Sequence, residues 1–166
     1  MAATSDELRS VPAITIRQML ESDVPAIHAI ERMSYPFPWS EGIFRDCIRV
    51  GYSCRVFDLE GQIMGYGVMS SGADEAHILN LCVRPTFRVR GLGRRMLEHL
   101  MELAASAGVQ DIFLEVRPTN TAAIRLYQAL AFEQVGMRRG YYQAVDGRED
   151  AVVLRRSLPD RRPRPA

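Results

Sequence analysis

ILNLCVRPTFRVRGLGRRML, residues 78–97, decides how the chain is read. ILNLCV is a short apolar run with the character of a strand. From Leu92 onward, apolar side chains fall at Leu92, Met96, Leu100 and Leu103, the spacing of one helix face, and Gly108 is placed to end that helix. Between them lie two glycines, Gly91 and Gly93, and four arginines, Arg88, Arg90, Arg94 and Arg95. Strand, glycine turn and helix start together make an anion site. The first N–H groups of a helix lack internal acceptors, and its dipole places about half a positive charge there. Glycine lets the preceding amides curl towards the same point. The dinucleotide fingerprint GxGxxG does not fit, because its third glycine position is Met96 and the motif lies past the middle of the chain.

Working outward, ITIRQM (14–19) alternates as a strand, and ESDVPAIHAIERMSY (21–35) reads as a helix capped by Ser22 or Asp23 with Pro25 in its first turn. FPWS breaks the chain before a second helix capped by Ser40. YSCRVFDLEGQIMGYGVMS (52–70) is a hairpin turning near Glu60 and Gly61, and EAHILNLCV (75–83) a further strand. DIFLEV (111–116) has the nearly continuous apolar run of a strand covered on both faces. A helix capped by Thr119 or Asn120 and two closing strands follow. The order β-α-α-β-β-β-α-β-α-β-β predicts a single α/β domain over residues 14–158. Its central sheet is mixed, mostly antiparallel, with helices on both faces. Residues 1–13 read as a loose leader, and 159–166, rich in arginine and proline, as a disordered tail.

Composition narrows the function. The 166 residues suit one core, and a net charge of +1 gives no general case for nucleic acid or membrane as partner. All 21 basic residues are arginine. A phosphate-loop lysine, a kinase ATP lysine and a pyridoxal Schiff base are therefore excluded. Cys47, Cys54 and Cys82, with His28, His77 and His99, show neither metal-ligand nor disulfide spacing, which predicts no metal and a reducing compartment. The expectation is a soluble, cytoplasmic monomer.

R-x-x-G-x-G at Arg88, Gly91 and Gly93 resembles the pyrophosphate motif of the GNAT superfamily, which transfers acetyl groups from acetyl-coenzyme A to amines. FPWSE (37–41), RGLGR (90–94), LEVRPTNTAAIRLYQALAF (114–132) and YYQAVDGREDAVVL (141–154) narrow the likeness to the RimI-type family, which acts on a ribosomal-protein N-terminus. The resemblance covers about residues 14–156. It implies the GNAT fold, acetyl-CoA as cosubstrate and, as acceptor, the N-terminal alanine of the eighteenth small-subunit ribosomal protein. It implies that Arg88, Val89, Arg90, Gly91, Leu92, Gly93 and Arg94 hold the pyrophosphate. Leu81, Cys82 and Val83, on a bulged strand, would offer backbone N–H groups to the thioester carbonyl. Asn120 corresponds to a coenzyme-contacting asparagine, a role compatible with capping its helix. Glu115 corresponds to the base and Tyr127 to the acid.

Two positions depart from the family pattern. Ala131 stands where glycine usually precedes the phenylalanine, and Val89 where a polar or basic residue is common. For the acceptor peptide, Asp146, Glu149 and Asp150 either attract a basic tail or cap the turn at Gly147, and Tyr141 and Tyr142 can wall its channel. Trp39 either shapes the acceptor pocket or packs its loop. The alternatives are a GNAT enzyme for a small amine or another protein, and a non-catalytic acyl-CoA-binding module.

Overall fold

The computed structural model describes residues 13–88 and 90–159. Val89, most of the expected leader and most of the expected tail lie outside the described residues.

Strand β1 (Thr15–Gln18) leads into helix α1 (Val24–Ser34) and helix α2 (Glu41–Arg49), then strands β2 (Ser53–Leu59), β3 (Gln62–Gly72) and β4 (Glu75–Val83). Helix α3 (Leu92–Ser106), strand β5 (Asp111–Val116), helix α4 (Thr121–Ala129) and strands β6 (Glu133–Ala144) and β7 (Gly147–Ser157) complete the chain. They form one seven-stranded sheet in the order β1-β2-β3-β4-β5-β7-β6. Every neighbouring pair is antiparallel except β4 with β5. The element order and the mixed, mostly antiparallel sheet are those the sequence predicts.

Each face of the sheet carries its own core. Beneath α3 and α4 lie Met96, Leu97, Leu100, Ile112, Leu114 and Phe132; beneath α1 and α2 lie Ile27, Ile30, Phe44, Val56, Tyr66 and Val68. The stripe of α3 differs slightly from expectation. Leu103 is only half-buried, and Leu97 and Ala104 complete the buried face with Leu92, Met96 and Leu100. Gly108 closes α3 as expected, with its N–H donated to Ala105 O and the N–H of Val109 to Ala104 O.

Ser40 caps α2, its Oγ accepting from Ile43 N at 3.3 Å. Asp23 precedes α1 but does not cap it with its side chain. Its two oxygens take both ends of the Arg17 guanidinium at 2.8 and 2.9 Å, and Oδ2 also accepts from Leu20 N. A charged fork outcompetes a single helix amide. Strand β5 also departs from expectation. Ile112, Leu114 and Val116 are buried under α3, but Asp111 and Phe113 on the other face are only half-covered, because α1 and α2 pack over the β1–β4 half of the sheet.

Candidate active site

Strands β4 and β5 pair only from Glu75↔Asp111 to Ile78↔Leu114. Beyond that point β4 continues to Val83 with β3 on one side and no strand on the other. The strands part where β4 carries an extra residue. Met69 faces Ile78 and Val68 faces Asn80, so Leu79 is bulged out. The bulge reverses the alternation of the strand, putting Leu81 and Val83 against the α3 core and Cys82 against the α1 core. The bulge itself lies before Leu81, Cys82 and Val83. Those three pair with Gly67, Tyr66 and Gly65 and leave their other edge facing the gap.

Gly65 permits this closeness. A Cβ there would stand 2.6 Å from Cys82 O and 3.2 Å from Val83 Cα. No side chain fits, and the glycine was not singled out from the sequence, although GYG inside a strand is the signal that could have marked it.

The glycine turn follows β4 through a 3-10 turn at Pro85–Phe87. Gly91 precedes α3 with φ +76°, a left-handed conformation that excludes ordinary side chains even though the space beside it is empty. No side chain caps α3, and its first turn holds no acid. Its leading amides thus meet no capping side chain, the condition that suits a helix start to an anion. The arginines are less uniformly free than the sequence suggests. Arg88 is drawn inward, donating to Val83 O and Ser34 Oγ at 3.0 Å each. Arg95 donates to Ile14 O, Arg94 pairs with Glu98 at 2.9 Å, and Arg90 lies over the Phe87 ring at 5.0 Å. The backbone makes the cradle and Arg88 braces it.

Glu115 stands near the end of β5 with its side chain only 5 % exposed. Its Oε2 is hydrogen-bonded to His77 Nε2, and Oε1, which takes no hydrogen bond, lies 3.4 Å from Arg138 Nε. Tyr127, on α4, is buried beside Phe132 at 5.8 Å between ring centres, and burial pushes its phenol up to about 12. Tyr142 connects the two. Burial raises its pKa, and Tyr141, Glu115 and Tyr127 push in the same direction while Arg117 opposes them. Tyr35, just past α1, donates to Leu81 O at 3.1 Å. Its pKa is raised by burial and by Cys82, Glu31 and Tyr127.

Asn120 caps α4, its Oδ1 accepting from Ala123 N at 3.2 Å. The acidic hairpin is more committed than the sequence implies. Glu149 bonds Arg117 at 2.8 Å and Thr119 at 3.2 Å, tying β7 to the loop before α4, and Asp150 accepts from Gly140 N. Asp146 is exposed in the tight turn before Gly147. Tyr141 and Tyr142 meet edge to face at 4.8 Å. Trp39 packs on Phe44 at 5.3 Å, and its backbone N–H donates to Glu31 Oε1, which supports loop packing.

Four participants escaped sequence reading: His77, Tyr35, Glu31 and Asn80. Glu31 is 2 % exposed and accepts from Trp39 N, the Tyr66 hydroxyl and Asn80 Nδ2, joining α1, β3, β4 and the α1–α2 connection. An acid in the middle of an amphipathic helix carries no local sign of such partners. Among the described residues, no group of three or more His, Cys, Asp or Glu could hold a metal ion.

An amide cradle, an open strand edge, a buried carboxylate and a protonated phenol converge on the parting of β4 and β5, an arrangement suited to passing an acyl group from a phosphate-bearing donor to an amine. Known proteins resemble the chain in sequence and backbone. Residues 16–132 match the family model described as Acetyltransferase (GNAT) family. A ribosomal protein bS18-alanine N-acetyltransferase of Escherichia coli K12 is 38% identical over 140 residues, 84% of this chain and 95% of the relative. The crystal structure of the ribosomal-protein-S18-alanine N-acetyltransferase from Escherichia coli superposes with a TM-score of 0.82 at 36% identity, over 90% of this chain and 97% of that one. Ard1 from Thermoplasma volcanium gives 0.81 at 26% identity, over 89% and 99%. Likeness along nearly the whole length of these proteins, in sequence and in backbone alike, settles the lineage: the chain belongs to the acetyltransferase (GNAT) family.

Proposed function

We propose that the chain transfers the acetyl group of acetyl-CoA to the N-terminal α-amine of a protein, the alanine of ribosomal protein bS18. The observation that carries this is the uncapped, acid-free first turn of α3 behind a left-handed Gly91, opening beside the unpaired edge of β4. Acetyl-CoA supplies an activated acyl group as a thioester. The amides from Arg90 to Arg94 hold its pyrophosphate, with Arg90 and Arg94 adding charge at the rim. The N–H groups along Leu81, Cys82 and Val83 face the carbonyl oxygen, and Asn120 lies on the coenzyme side.

Glu115 accepts the proton of the incoming ammonium through Oε1, directly or through water. An α-amine titrates near 8 against about 10.4 for lysine, so a modest base suffices. Tyr127 keeps its proton throughout the working range because burial raises it to about 12. Full transfer to a thiolate with pKa of about 8.5 would be uphill by about 5 kcal/mol. Tyr127 therefore serves as an acid by hydrogen-bonding the developing charge on sulfur. Tyr141 and Tyr142 border the acceptor, and Asp146 is the exposed acid of the turn placed to attract a basic tail, Asp150 being exposed but bonded to Gly140 N.

The test uses acetyl-CoA with two peptides, one beginning with free alanine followed by arginine, the other with a blocked N-terminus and internal lysines. Mass spectrometry is expected to find one acetyl group, on the alanine. Glu115→Gln and Tyr127→Phe should slow transfer about 100-fold or more while still binding acetyl-CoA. Acetylation of lysine alone would refute the acceptor. Transfer at the full rate by either variant would refute that residue's role.

A further inference from the structure

His77 is a residue that no step above requires. It pairs with Phe113 across β4 and β5, and Glu115 lies two residues further along β5 on the same face. An ionised carboxylate can only accept, so the imidazole Nε2–H donates to Glu115 Oε2. This leaves Oε1 as the oxygen without a hydrogen bond. The carboxylate is almost sealed at 5 % exposure, whereas the imidazole is 31 % exposed and in touch with water.

The surroundings single out this pair. Around it stand Arg138, Tyr141 and Tyr142 from β6, Arg155 from β7 in the Phe113 row, and Glu75 and Asp111 one row before. Arg138 is 56 % exposed and its Nε makes no hydrogen bond to Oε1. Among these described residues, only His77 holds the carboxylate by a hydrogen bond.

We propose that His77 is the positioning residue of Glu115, turning Oε1 towards the acceptor amine. This rests on the reading of Glu115 as the base. The hydrogen bond from Nε2 occupies Oε2 and fixes the rotation of the carboxylate, so that Oε1 is the oxygen left to take the proton.

Three variants decide it: His77→Gln, His77→Ala and Glu115→Gln, each checked for folding by thermal unfolding and for acetyl-CoA binding. His77→Gln keeps an N–H donor, and its kcat should stay near that of the unaltered enzyme. His77→Ala should lose about tenfold in kcat with an unchanged KM for acetyl-CoA, since a hydrogen bond to a charged group has gone. A kcat in His77→Gln as low as in His77→Ala, or an unchanged kcat in His77→Ala, with Glu115→Gln inactive, would overturn the role of His77 alone. Full activity in Glu115→Gln would instead overturn the reading on which it rests.

Discussion

At Ala131 the backbone stands at φ +63°, directly after α4. Its N–H donates to Gln128 O and that of Phe132 to Tyr127 O, the closing pattern that glycine usually serves. An alanine in this conformation costs about 1 kcal/mol. Ala131→Gly should accordingly raise the unfolding temperature by about 2–4 °C, measured by calorimetry; an unchanged or lower value would show that the loss of the methyl outweighs the relief. Tyr127 carries a second expectation. Its folded pKa, about 12, lies above the unfolded value near 10. A phenol raised in this way contributes stability that is complete below pH 10 and disappears as pH rises towards 12. Tyr127→Phe should flatten the alkaline decline seen in urea titrations between those limits. Glu115, Tyr127 and Asn120 were put forward from the sequence because each sits in a long distinctive run. His77 and Tyr35 were not, because their partners are reached only through strand pairing and through the extra residue at Leu79.

Among the elements, β1 shows how a short strand is fastened. Arg17 joins Asp23 at 2.8 Å and Asp58 at 2.8 Å, tying β1 to the start of α1 and to β2. Arg17 holds both carboxyls below their usual range, chiefly through these hydrogen bonds. Groups depressed in this way stabilise the fold above the unfolded value near 4 and lose that contribution as pH falls through their folded values. Arg17→Met should cost about 2 kcal/mol at neutral pH, by leaving Asp23 half-satisfied, and should lessen the loss of stability between pH 4 and 2. Acid titrations of unfolding free energy for both proteins read the difference. At the β3–β4 contact, Gly65→Ala forces a methyl onto Cys82 O and Val83 Cα, both main-chain atoms. A loss of about 3 kcal/mol is expected by urea denaturation, with transfer activity impaired as the edge of β4 shifts. Element order was readable from apolar periodicity and glycine punctuation. The half-covered face of β5 was not, since apolar content alone does not say which part of a sheet a helix pair will cover.

For the whole molecule, the sheet is two smaller sheets joined at one corner. The first is β1 to β4 and the second is β5, β7 and β6, and among the described residues their strand pairing runs over four residue pairs alone, from Glu75↔Asp111 to Ile78↔Leu114. Helix α3 spans beneath, its Met96, Leu97 and Leu100 sharing a core with Ile78, Ile112 and Leu114. A cosubstrate seated between the parted strands would act as a keystone. At 100 times its dissociation constant it should add about 2.7 kcal/mol to stability. Hydrogen exchange should slow most at Leu79–Val83 and at the end of β5; uniform slowing over the chain would place the ligand elsewhere. The corner joint thus ties endurance to supply. An empty copy should open first along the unpaired edge of β4 and a loaded copy should stay shut, so survival under denaturant is expected to rise with the supply of acetyl-CoA.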